Sequence, residues 1–150
     1  MTFRHNRYSV HLAHQLLNAL DLRVYDVRVD NGRVRGTHVT YFIPDVLVLP
    51  LRLAEPMFDR SDALVVYTDP LPFVAEIWSP STGAYDIDSK FDESKRRGDL
   101  EIWRVHPFDR TVTMWRRQSG GEYIDSVVRR GRIELVGLPG VFVDLDLLLA

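Results

Sequence analysis

Two carboxylates stand where carboxylates are rare. Glu76 lies inside Phe73-Val74-Ala75-Glu76-Ile77-Trp78, a stretch otherwise made of apolar groups, and Asp45 opens the apolar run Val46-Leu47-Val48-Leu49 directly after Pro44. Withdrawing an ionised carboxylate from water is costly unless a partner meets it. Glu76 therefore calls for a positive neighbour, and a metal ion, Lys90 or an arginine each fits. Each acid also has a plainer reading, Asp45 as the cap of a strand start and Glu76 as the solvent-facing residue of an edge strand. If both lie on adjacent core strands, they form the oxygen ligand set of a hard divalent cation such as Mg²⁺. Such a cation polarises a phosphoryl oxygen and acidifies a bound water, while a nearby lysine steadies the developing charge.

The elements that must position these residues follow from periodicity. Between Tyr8 and Leu20, the residues Leu12, Leu16, Leu17 and Leu20 recur at helical spacing beside Val10 and Ala13, which predicts an amphipathic helix entered near Asn6 or Ser9. Leu22 to Val29 alternates as a strand, with a slip at Tyr25-Asp26, and Asp30-Asn31-Gly32 is a tight-turn signal. A second extended stretch runs from Val34 into Phe42, and the run after Asp45 reads as a buried strand bounded by prolines. Residues 50–62 read as a loop with a helical turn near Arg52 to Phe58, and Leu64 to Tyr67 as a strand or loop edge.

Phe73 to Trp78 is a core strand. Asp86 to Arg97 reads as a helix with Gly98 just past its end. Leu100 to Val105, Thr111 to Arg116 and Glu122 to Val128 are strand-like, and Ile133 to Leu149 ends in an apolar tail expected to pack back on the body. The order gives an α/β (α+β) fold in one domain spanning 1–150.

Composition narrows the function classes. With 45% hydrophobic and 27% charged residues the chain is of ordinary globular type. It has no cysteine, which excludes disulfides, thiolate zinc sites and a cysteine nucleophile. No run of about 18 apolar residues exists to span a membrane and no secretion signal is evident, so a cytoplasmic location is expected. The formal charge of -2 is unlike that of a nonspecific nucleic-acid coat protein. Basic clusters nevertheless occur at Lys95-Arg96-Arg97, Arg116-Arg117 and Arg129-Arg130-Gly131-Arg132.

Ile43-Pro44-Asp45-Val46-Leu47-Val48-Leu49 and residues 72–86, from Pro72 through Glu76 to Asp86, resemble the two central motifs of the Uma-type restriction endonucleases. Lys90, four residues after Asp86, stands where that family carries a helix lysine, and Glu101 to Pro107 followed by Arg110-Thr111-Val112 is similar to the family's next strand and turn. The resemblance runs from about His5 to Val143. It implies a PD-(D/E)XK restriction-endonuclease-like mixed sheet flanked by helices, with Asp45 as the motif aspartate and Glu76 as the second acid. It further implies Mg²⁺ or Mn²⁺ bound by Asp45, Glu76 and the Ile77 carbonyl. Trp78 occupies the place of the motif lysine, and Lys90 is the substitute. The departure is at the start: relatives carry an N-terminal hairpin glutamate that the chain lacks, so His5, His11 or His14 is the candidate to stand in.

Three functions follow. The first is a metal-dependent DNA endonuclease using Asp45, Glu76 and Lys90, with Arg96, Arg97 and Arg116 on phosphates and a homodimer suited to double-strand cutting. The second is a non-catalytic nuclease-like scaffold that binds nucleic acid or protein, and the third an unrelated small-molecule-binding protein.

Overall fold

A computed structural model describes residues 2–30, 33–34, 42–55, 66–79 and 83–150, with the side chains of 33, 66–67 and 83–87 outside the description. The first helix, α1 (Phe3–Ala19), begins five residues earlier than Tyr8. Its cap is Thr2, whose hydroxyl accepts from the His5 N–H at 3.1 Å, not Asn6 or Ser9. Ser9 instead donates to the His5 carbonyl inside the helix. Tyr8, Leu12 and Leu16 form the buried stripe, while Val10 and Leu17 turn toward solvent.

Strand β1 (Tyr25–Val29) starts three residues later than the alternation predicts, because 22–24 form a turn and expose Leu22 and Val24. The predicted Asn31-Gly32 turn lies outside the described residues. The short β2 (Arg33–Val34) pairs in parallel with β4 (Val66–Tyr67), and Val34 bridges Phe42. After Asp45 come β3 (Val46–Pro50) and the one-turn α2 (Leu51–Ala54), then β5 (Phe73–Ile77). Helix α3 (Gly83–Arg97) starts three residues before Asp86 and ends as expected at Gly98, whose φ of +80° suits glycine at the cap.

Strands β6 (Glu101–His106), β7 (Thr111–Arg117) and β8 (Tyr123–Val128) complete a six-stranded sheet of order β1-β3-β5-β6-β7-β8. Every neighbouring pair is antiparallel except β5 and β6, which α3 joins as a crossover. The tail forms a small hairpin, β9 (Arg132–Glu134) with β10 (Phe142–Asp144), followed by α4 (Leu145–Leu148).

Alternation along the strands feeds two cores. Val46, Val48, Phe73, Ala75, Ile77, Trp103 and Val105 pack with the α1 stripe and with Leu135, Val143, Leu145 and Leu148 of the tail. Leu47, Leu49, Val74 and Ile102 face the other way, against Phe91 of α3 and Leu51 and Leu53 of α2. The tail is pinned by Glu101, whose carboxylate accepts from Trp103 Nε1, Arg116 Nε and the Val136 N–H at 2.8, 3.0 and 2.7 Å. No described helix is long and apolar enough to cross a membrane.

Candidate active site

Register places the candidate residues at one end of the sheet. Val29 pairs with Val46 and Val46 with Ala75, while Ile77 pairs with Val105. Asp30, Asp45 and Glu76 therefore leave β1, β3 and β5 in one row, on three adjacent strands. Helix α1 reaches this end through His5 and helix α3 through Lys90.

Asp45 is buried, and both hydrogen bonds described for its carboxylate go to Oδ2: His5 Nε2 at 3.0 Å and the Ile77 N–H at 2.7 Å. Burial pushes this carboxyl up, but the His5 and Ile77 donors outweigh it and hold the group below the usual carboxylate range. Glu76 goes the other way. Burial and then the Asp45 charge raise it well above the ordinary value, and the Lys90 ammonium and the Asp45 N–H offset only part of that rise. Lys90 Nζ stands 3.6 Å from Glu76 Oε2 and donates to the Ile43 carbonyl at 3.1 Å. Two carboxylates thus occupy one desolvated spot with opposed shifts, as expected where two negative charges cannot both be comfortable.

Asp30 is a third acid at this row, not singled out from the sequence, where it reads as the first residue of a turn. Its N–H donates to the Asp45 carbonyl at 3.0 Å, and its φ is +52°. Partial burial and the Asp45 charge raise its carboxyl, while His5 and Lys90 pull it back. The signal that finds it is the antiparallel register of β1 on β3, which sequence alone does not supply.

Of the three histidines, His5 is the one at the acids. It is buried, and its Nδ1 has no hydrogen-bond partner among the described residues. His11 and His14 line a separate depression with Val10, Gln15 and Leu147. Ile77 brings its N–H to Asp45, and the side chain of Asp86, the alternative partner for Lys90, lies outside the described residues. The three arginines expected on phosphates are elsewhere. Arg97 and Arg116 are ion-paired with Asp99 and Glu101 at the opposite end of the sheet, and Arg96 with Glu93 one turn before the end of α3.

Among the described residues, no three His, Asp or Glu side chains gather as ligands around one point. The donor set nonetheless suits a hard divalent cation: two adjacent carboxylates, one of them raised by burial and by the charge of the other.

A model of the Uma2 family, described as "Putative restriction endonuclease", matches residues 1–147. The chain belongs to the Uma2 family. Among solved structures it is similar to a putative nuclease belonging to DUF820 from Anabaena variabilis, at 13% identity and a TM-score of 0.75, covering 99% of this chain and 82% of that one. A search of curated proteins finds no significant match. The six-stranded mixed sheet flanked by helices is thus a nuclease-like fold, as the motifs imply.

Proposed function

We propose that this Uma2 protein is a divalent-metal-dependent endonuclease that hydrolyses DNA phosphodiester bonds. The observation that supports this best is the buried Asp45–Glu76 pair, with Lys90 3.6 Å from Glu76 and with burial first, then the Asp45 charge, raising Glu76. Asp45 and Glu76 would hold Mg²⁺ or Mn²⁺, with the Ile77 carbonyl as a further ligand, and the bound cation would supply charge neutralisation at a phosphoryl oxygen and a more acidic water.

The remaining work falls to the chain itself. His5 Nε2 and the Ile77 N–H fix Oδ2 of Asp45, which orients the carboxylate before substrate arrives. Lys90, steadied by the Ile43 carbonyl, carries positive charge to the place where negative charge grows on the phosphoryl oxygens. Cutting both strands of a duplex takes two such sites, so the proposal includes a homodimer. A cytoplasmic protein fits the absence of cysteine.

A second reading, the non-catalytic scaffold, draws on the same Lys90–Glu76 ion pair, which compensates Glu76 without any metal. Supercoiled plasmid separates the two. We expect nicking by the wild type with Mg²⁺ or Mn²⁺, and a loss of at least about 100-fold for Asp45→Asn, Glu76→Gln and Lys90→Met, the scale seen when one charge-stabilising group is removed. Intact plasmid with the wild type and either metal would favour the scaffold.

A further inference from the structure

The same end of the sheet carries a second surface that the acids do not use. His106 ends β6, Thr111 opens β7, and the turn between them holds Phe108, Asp109 and Arg110. Trp78, one residue beyond Ile77, meets Phe108 edge to face at 5.8 Å, and with His106 and Asp109 the two rings line a cleft of about 420 Å³. Phe108 is 60% exposed, so its ring is open to a partner beside Trp78. The Arg4 guanidinium lies 5.1 Å from its centroid. From Arg4 the surface continues into a depression of about 220 Å³ lined by Phe3, Arg4, Arg7, Tyr8, Arg110 and Ala150.

Arg23, Arg28, Arg96, Arg97, Arg104 and Arg116 are in ion pairs. Arg4, Arg7 and Arg110, like Arg52, Arg117, Arg129, Arg130 and Arg132, are exposed and make none among the described residues, and these three are set apart by their place, Arg4 on the Phe108 ring and all three around the adjoining depression. Arg110 also has a φ of +53°, in the left-handed region where glycine or asparagine sits more easily. An arginine at that position sits against its own backbone preference, which points to a use for the side chain.

We propose that this surface binds an unpaired stretch of a DNA strand, one base stacked in the Trp78–Phe108 cleft and the flanking phosphates on Arg4, Arg7 and Arg110. Aromatic rings interleaved with free cations are what a single strand requires, since every base offers a π-face and every link a negative charge. In a paired duplex the bases face one another and leave none to fill the cleft. Asp109 at the rim can accept from an N–H on the Watson–Crick edge of an unpaired base, which thymine also offers. The proposal rests on the nuclease reading for the choice of polymer, and it deepens that reading by making the strand beside the acids unpaired.

Fluorescence anisotropy in EDTA tests it without any cleavage step. A labelled oligothymidylate is expected to bind at least tenfold more tightly than a blunt duplex of the same length. Phe108→Ala should weaken binding about tenfold, as loss of one stacked base does. Arg110→Gly should weaken binding and flatten the salt dependence by about 0.7 in the log–log slope, one phosphate contact, while leaving the melting temperature unchanged or higher. Arg23→Ala, in an exposed ion pair before β1, should change nothing. Equal or tighter duplex binding, or wild-type affinity in both Phe108→Ala and Arg110→Gly, would overturn the proposal. Metal-dependent nicking of plasmid would survive that result, and tight single-strand binding would equally survive a failure to nick.

Discussion

Glu76 is costly to the fold when no metal is present. A carboxyl whose folded pKa lies above its unfolded value contributes stability that is fully present below pH 4.5 and lost as pH rises through the raised folded value. Glu76→Gln cannot ionise, so it should stabilise the metal-free protein against urea at neutral pH and lose that advantage below pH 4.5. Lys90 keeps the Ile43 carbonyl in this variant and is not stranded. A variant less stable than wild type at neutral pH would show instead that the Lys90–Glu76 attraction outweighs burial. Asp45 works in the other sense, held low by His5 and Ile77, so the site keeps one acid ready to ionise beside one that resists. Asp45 and Glu76 stand out in the sequence because acids bounded by apolar strands are conspicuous, and Lys90 stands out by its resemblance to the family's helix lysine; the fold brings the three together, and their shared role is part of the proposed function. Asp30 does not stand out, since a turn acid is ordinary until the register of two strands sets it opposite Asp45. His5 could be named only as one of three histidines, and the choice among them depended on where the helix begins.

Elements with strong local signals are legible to within a few residues, and the structure departs from them at their ends. The start of helix α1 is hidden in the sequence because Thr2 caps it one residue before an exposed Phe3, with no apolar periodicity to mark the first turn. That turn carries Arg4, His5 and Arg7, so the missed boundary concealed part of the site. The tail was legible as apolar but not as a hairpin with a helix, since its β9–β10 pairing is only three residues long. Its docking depends on Gly137, where an added Cβ would collide with the Pro72 carbonyl next to β5. Gly137→Ala should therefore destabilise the protein by about 2 kcal/mol or more, the scale of overpacking in a tight contact. Unfolding in urea measures it, and a change below about 0.5 kcal/mol, the range of surface substitutions, would show that the tail yields.

Across the whole molecule, charge is sorted by place and not by total. The formal charge of -2 argues against DNA binding when read as a sum. The fold spends Arg97 and Arg116 on the buried Asp99 and Glu101 at one end of the sheet and leaves Arg4, Arg7 and Arg110 without an ion pair, among the described residues, at the end that carries Asp45 and Glu76. Basic clusters in the sequence therefore do not reveal which arginines are already engaged: adjacency along the chain says nothing about which of them meet an acid across a sheet. The fold class itself was legible because the order of helix, strands, crossover helix and antiparallel strands admits few arrangements, and the motifs selected among them.

The direct test of the acidic end is a calorimetric titration of the metal-free protein with Mn²⁺. We expect saturable binding by the wild type that Asp45→Asn and Glu76→Gln each weaken by at least tenfold. Absence of binding by folded wild-type protein, or binding that both substitutions leave intact, would contradict a divalent cation held by Asp45 and Glu76.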